Sequence, residues 1–95
     1  MFQSFNLERI KCSAIKAVTV HGYPKIVCGR RHADIFEYMF KHQIEYDKAL
    51  SVQGFLTSDD RFVDRFEAAL IAFDARQIDD PNITELFSED IWPEE

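Results

Sequence analysis

The chain has 95 residues, a formal net charge of −6, 46% hydrophobic and 29% charged residues. That length holds one domain, read over 1–95 with residues 1–7 as a flexible start, and one modest core. The composition excludes disorder and collagen-like repeats, no stretch approaches the ~18 apolar residues of a membrane span, and the acidic balance argues against a binder of long nucleic acid.

Residues 8–20 (ERIKCSAIKAVTV) are rich in β-branched side chains and read as a strand. Simple alternation puts Ile10, Cys12, Ala14 and Lys16 on one side and Lys11, Ser13, Ile15 and Ala17 on the other. His21-Gly22-Tyr23-Pro24 is a turn signal, and Lys25 to Cys28 completes a hairpin before Gly29. Ile35, Tyr38, Met39 and His42 recur at helical spacing, widened by Phe36 and Phe40, which predicts a helix over His32–His42. Residues 43–52 form a connector without Gly or Pro. Gly54–Thr57 and Arg61–Val63 read as short strands about a Ser58-Asp59-Asp60 turn. Asp64, followed three residues later by Glu67, is the N-cap signature of a helix ending near Gln77. Phe66, Leu70 and Phe73 are expected to be its packing face, with Ala69 and Ala72 allowing close approach. After the Asp79–Asn82 break, the apolar residues of ITELFSEDIWPEE are expected to dock on the core or on a neighbouring subunit, with Ser88 capping a last turn. The fold class is α+β: a small antiparallel sheet, two main helices and a short C-terminal helical turn.

No GxSxG elbow, HExxH or P-loop occurs, and His21, His32 and His42 lack metal-ligand spacing. No catalytic residue, cofactor or metal is therefore expected. Met1–Glu8 has no basic start before an apolar run, so no secretory leader is expected. Cys12 and Cys28 fall outside any CxxC pair and suit a reducing cytosol. Residues 1–50 carry +3 and residues 51–95 carry −9. The acidic half reads as a solvated surface, or as one that faces the basic half of a neighbouring subunit.

Binding has more support than catalysis. Gly29-Arg30-Arg31-His32 joins a strand to a helix start, where glycine permits close approach, free amides favour an anion and two guanidinium forks match phosphate. Alternatively, both arginines are ordinary surface charges. Gln53–Arg65 alternates aromatics, hydroxyls and arginines, which suits base stacking with phosphate contact, though Phe55 and Phe62 also suit a core. Thirteen aromatics over-supply one small core, so one or two should line a pocket or an interface.

GRRHADI (Gly29–Ile35), QGFLTSDDRFVDR (Gln53–Arg65), EAALIAFDARQI (Glu67–Ile78) and LFSEDI (Leu86–Ile91) together resemble a family of small phage proteins, the first type of Thoeris anti-defence protein. The resemblance implies a non-enzymatic sponge in the host bacterial cytosol. Such proteins sequester a cyclic ADP-ribose signal, and some members form hexamers and hold cyclic oligonucleotides. It implies a homo-oligomer, dimer to hexamer, and no membrane partner. Carried onto the matching segments, the ligand-binding roles fall on Arg30, Arg31, His32, Phe55, Thr57, Arg61, Phe62 and Arg65. Asp60 stands where similar proteins often have glycine, and Phe66 where an acidic residue is frequent. A protein-interaction module built on the acidic, aromatic tail and a nucleotide hydrolase are the competing functions.

Overall fold

The β-branched start of the chain forms a strand, β1 (Ile10–Val18), which turns back as β2 (Pro24–Gly29). The turn closes through the Thr19 amide donating to the Tyr23 carbonyl at 3.0 Å, with Gly22 in the left-handed region at φ 86°. The computed structural model describes residues 7–93, so the expected flexible start lies outside them except for Leu7. Helix α1 (His32–Lys41) follows, then β3 (Val52–Thr57), β4 (Phe62–Asp64), α2 (Arg65–Asp74) and the single turn α3 (Ser88–Ile91). The four strands make one antiparallel sheet in the order β2-β1-β3-β4, so the fold is α+β as expected. No helix of the described residues is long and apolar enough to cross a membrane.

A register shift between Ile10 and Cys12 breaks the strict alternation of β1. Lys11 takes up the extra residue, and Ile10 joins Ser13, Ile15 and Ala17 on the side facing the helices. That corrects the expected grouping of Ile10 with Cys12. Two apolar clusters fill the space beneath the helices. Ile15, Ala17, Val27, Ile35 and Met39 pack under α1, while Ile10, Phe55, Val63, Ala68, Ala69, Ala72, Ile78 and Leu86 pack under α2. The tail docks on its own core: Leu86 is fully buried, and Ile83, Ile91 and Trp92 pack against the second cluster.

Helix α2 begins where expected, with the Asp64 carboxylate accepting from the Glu67 amide at 2.9 Å. Its orientation is the reverse of the expected one. Ala68, Ala69 and Ala72 face the sheet, and Phe66, Leu70 and Phe73 face outward. The cause is space: Phe55, Val63 and Leu86 already fill the volume beneath the helix, so alanines lie directly over them, with Ile71 packed half-buried beside these.

The bend at Ser58-Asp59-Asp60 places Asp60 at φ 61°, the left-handed conformation that favours glycine. Lys11 Nζ donates to its carboxylate at 3.0 Å. On the open side of the sheet, the Phe62 ring lies over Gly54. A Cβ built on Gly54 would sit 2.1 Å from the Val63 carbonyl oxygen and 2.8 Å from the Phe62 ring. Because the first obstacle is backbone, Gly54→Ala must move strand β4. The substitution should cost at least ~2 kcal/mol, as overpacked cores do. Urea unfolding should show this as a lower midpoint; an unchanged midpoint would mean that β4 yields freely.

Candidate functional site

The site grows from a buried chain of polar groups where β1, β3, α1 and α3 meet. Gly29 ends β2, and Arg30 and Arg31 carry the backbone into α1 in extended form. The Ser13 hydroxyl lies 2.8 Å from the Ser88 hydroxyl and 3.0 Å from the Arg30 carbonyl oxygen. The Ser88 hydroxyl lies 2.8 Å from His32 Nδ1, and His32 Nε2 lies 2.7 Å from the Gly54 carbonyl oxygen. A carbonyl only accepts, so Nε2 carries the ring hydrogen, and Nδ1 of the neutral ring accepts from Ser88. Ser13, with one hydroxyl hydrogen, then has two acceptors in reach. The His32 ring also meets Phe55 edge-on, with centroids 5.1 Å apart. Burial lowers the His32 pKa below the ordinary 6.5; the Gly54 carbonyl opposes that and the Arg65 charge adds to it.

Above this chain lies a cleft of about 480 Å³ lined by Arg31, His32, Ala33, Asp34, Arg65, Phe87, Ser88 and Glu89. Arg31 donates to the Trp92 carbonyl and lies 3.8 Å from the Glu89 carboxylate. Arg65, the first residue of α2, donates to the Leu86 carbonyl at 2.7 Å and to Gln53 Oε1 at 2.7 Å. Its guanidinium carbon stands 4.4 Å from the centre of the half-exposed Phe87 ring. Burial pulls the Arg65 pKa down, yet an arginine keeps its proton. The Ala33 and Asp34 amides belong to the first turn of α1, where no intrahelical acceptor exists. The cleft therefore combines two fixed cations, helix-start amides, one aromatic face and two carboxylates.

Of the eight expected binding residues, three meet here: Arg31, His32 and Arg65. Phe55 is fully buried directly behind them. Arg30 is exposed and does not line the cleft, although its carbonyl anchors Ser13. Thr57 is buried and donates to Glu8 at 2.5 Å. Arg61 grips Glu8 through two bonds, at 2.8 and 2.9 Å, and Glu67 through a third at 3.1 Å. The Arg61 bonds, followed by the Thr57 bond, hold the Glu8 pKa down at about 2. Phe62 lies on the opposite side of the sheet, over Gly54. Sequence reasoning missed Ser13, Phe87 and Glu89 as site builders and treated Ser88 only as a cap. The one available signal was the unusual Phe-Ser-Glu run inside an apolar tail.

A model of the phage T4 y16D protein family matches residues 9–92. The chain belongs to that family. The match spans the sheet, both main helices and α3, and so includes every residue lining the cleft. It supports the phage part of the resemblance drawn from the motifs. No curated protein and no solved structure matches the chain. Among the described residues, no group of three or more His, Cys, Asp or Glu is placed to hold a metal ion.

Protonation of His32 adds a hydrogen at the nitrogen that accepts from Ser88. Because its folded pKa lies below the unfolded value, the unfolded chain binds the proton more readily. Stability is therefore complete above pH ~6.5 and declines as pH falls through the folded pKa. The Glu8 contribution declines only in the separate range between 4.5 and about 2. Nuclear magnetic resonance should give a His32 titration midpoint below 6.5, and the urea midpoint should be lower at pH 5 than at pH 7.5. A His32 midpoint at or above 6.5 would contradict the neutral ring.

Proposed function

We propose that this phage protein captures a phosphate-bearing nucleotide signal in the cleft between α1, α2 and α3 and holds it unchanged. This is the sponge role that the resemblance to Thoeris anti-defence proteins implies, acting in the host cytosol on a cyclic ADP-ribose isomer. The observation that supports it is the convergence of Arg31 and Arg65, from different elements, on one cleft beside the start of α1. A volume of about 480 Å³ falls within the ~300–1,000 Å³ range of small-molecule sites.

The lining suits a nucleotide better than a bare anion. Two guanidinium forks match two phosphates. The Phe87 ring offers a face for a base. Asp34 and Glu89 would repel a lone phosphate, but they can accept from ribose hydroxyls or an exocyclic amine. A ligand phosphate reaching Arg31 would displace the loosely held Glu89. Retention without cleavage agrees with the bonding of His32: both ring nitrogens are committed to Ser88 and Gly54, so neither is poised as a base. A tail that served as a contact segment would keep its apolar residues free, whereas Leu86 and Trp92 are packed on the core.

Titration calorimetry with cyclic ADP-ribose tests the assignment. Arg31→Ala and Arg65→Ala should each weaken binding by ~1.5–3 kcal/mol, the range for hydrogen bonds to charged groups. Arg61→Ala, with its guanidinium committed to Glu8 and Glu67, should leave affinity unchanged. The opposite pattern would remove this cleft as the site. Heat denaturation of the loaded protein should release intact ligand; a cleaved product would make it a hydrolase.

A further inference from the structure

A second recess lies one step along the sheet from the buried polar chain. Ser13 of β1 pairs with Phe55 of β3, and His32 covers them from α1. Two residues further along the strands, Ile15 pairs with Gln53, and Phe36, one helical turn after His32, stands over that pair. The space left there is about 360 Å³, lined by Ile15, Phe36, Tyr46, Lys48, Ser51 and Gln53. Ile15 is buried, and the half-buried rings of Phe36 and Tyr46, with centroids 6.3 Å apart, add an aromatic wall. The volume falls within the ~300–1,000 Å³ range of small-molecule sites.

The polar groups facing this space are donors. Gln53 Oε1 accepts from Arg65 at 2.7 Å, and a guanidinium only donates, so the amide orientation is fixed and Nε2 keeps its two hydrogens for another acceptor. The Lys48 ammonium, exposed at the rim, makes no ion pair among the described residues, and no carboxylate lines the recess. The Ser51 hydroxyl is already used: it donates to the Asp47 carbonyl at 2.6 Å and accepts from the Val18 amide at 3.0 Å.

We propose that this recess binds a small aromatic carboxylate. The ring lies over Ile15 against Phe36 and Tyr46, and the carboxylate accepts from Lys48 and the Gln53 amide. A bare anion would leave the apolar wall wet. An aromatic amine would set a second cation beside Lys48, and a neutral hydrocarbon would cover the two donors without meeting them. The inference does not rest on the phosphate cleft, which shares none of these lining residues. The two spaces meet only through the bond from Arg65 to Gln53.

Titration of the whole protein with 2-naphthoate, followed by nuclear magnetic resonance, tests the proposal. A ligand of that size should bind with a dissociation constant on the order of 0.1–1 mM. The signals that move should be those of the Gln53 side-chain amide, Ile15 and Ser51. 2-Naphthamide, which keeps the rings and loses the charge, should bind at least ~tenfold more weakly, as the loss of a charged hydrogen bond requires. Lys48→Glu and Gln53→Glu should each weaken 2-naphthoate by at least ~tenfold. Lys48 is exposed and Glu at 53 can still accept from Arg65, so both variants should keep the wild-type unfolding midpoint. Lys48→Arg should retain binding. Absent binding, equal affinity for the amide, or undiminished affinity in Lys48→Glu would overturn the proposal. Shifts centred on the Ala33 and Asp34 amides would also overturn it, by placing the carboxylate in the phosphate cleft.

Discussion

The hydrogen-bonded chain from the Arg30 carbonyl through Ser13, Ser88 and His32 to the Gly54 carbonyl holds this molecule's parts in one arrangement. It joins the central strand, its neighbour, the start of α1 and the C-terminal turn. Buried polar groups must be matched, because each unmatched one loses the hydrogen bonds that water supplied. Every buried side-chain nitrogen and oxygen among the described residues has a partner. The geometry of Ser88 therefore follows from that of His32, and the placement of α3 follows from both. The cleft is a consequence of this coupling, since one of its walls is α1 and another is α3.

A second constraint is volume. The sheet presents Phe55 and Val63 to α2, and Leu86 reaches in from the tail. Together they leave room directly beneath the helix for alanine methyls, with Ile71 half-buried beside them, and Phe66, Leu70 and Phe73 turn outward. The same crowding positions Arg65. Its helix approaches the sheet closely, and its guanidinium is held over Phe87 by the Leu86 carbonyl. Packing beneath α2 thus decides where a cation of the cleft stands.

Much of the fold was legible from local signals. The Asp64 cap, the hairpin turn and the helix after His32 are each encoded within a few residues, and all three formed where the pattern placed them. The orientation of α2 was not legible, because periodicity locates an apolar stripe but does not say how much room lies under it. The β1 alternation failed at Lys11, where one extra residue moved Ile10 to the other side of the sheet. Arg31 and His32 stood out because they lie between a strand and a helix start. Their connection to Arg65, Phe87 and Ser88 was hidden, since it spans up to 56 positions and rests on tertiary packing alone. Arg61 drew attention through its type and spacing, yet Glu8, from a segment with no motif, holds it through two bonds and Glu67 through a third.

The tail wall has a consequence for the order in which the molecule is assembled. A nascent chain that has emerged as far as α2 already has its complete sheet and both cleft arginines. It lacks Leu86, Ser88 and the Trp92 carbonyl, so Arg65 has no backbone acceptor and His32 Nδ1 has no hydroxyl partner. The cleft is therefore completed late in synthesis, in the same step that seals the interior. A translation product halted just before this segment would have most of the scaffold and none of the enclosure.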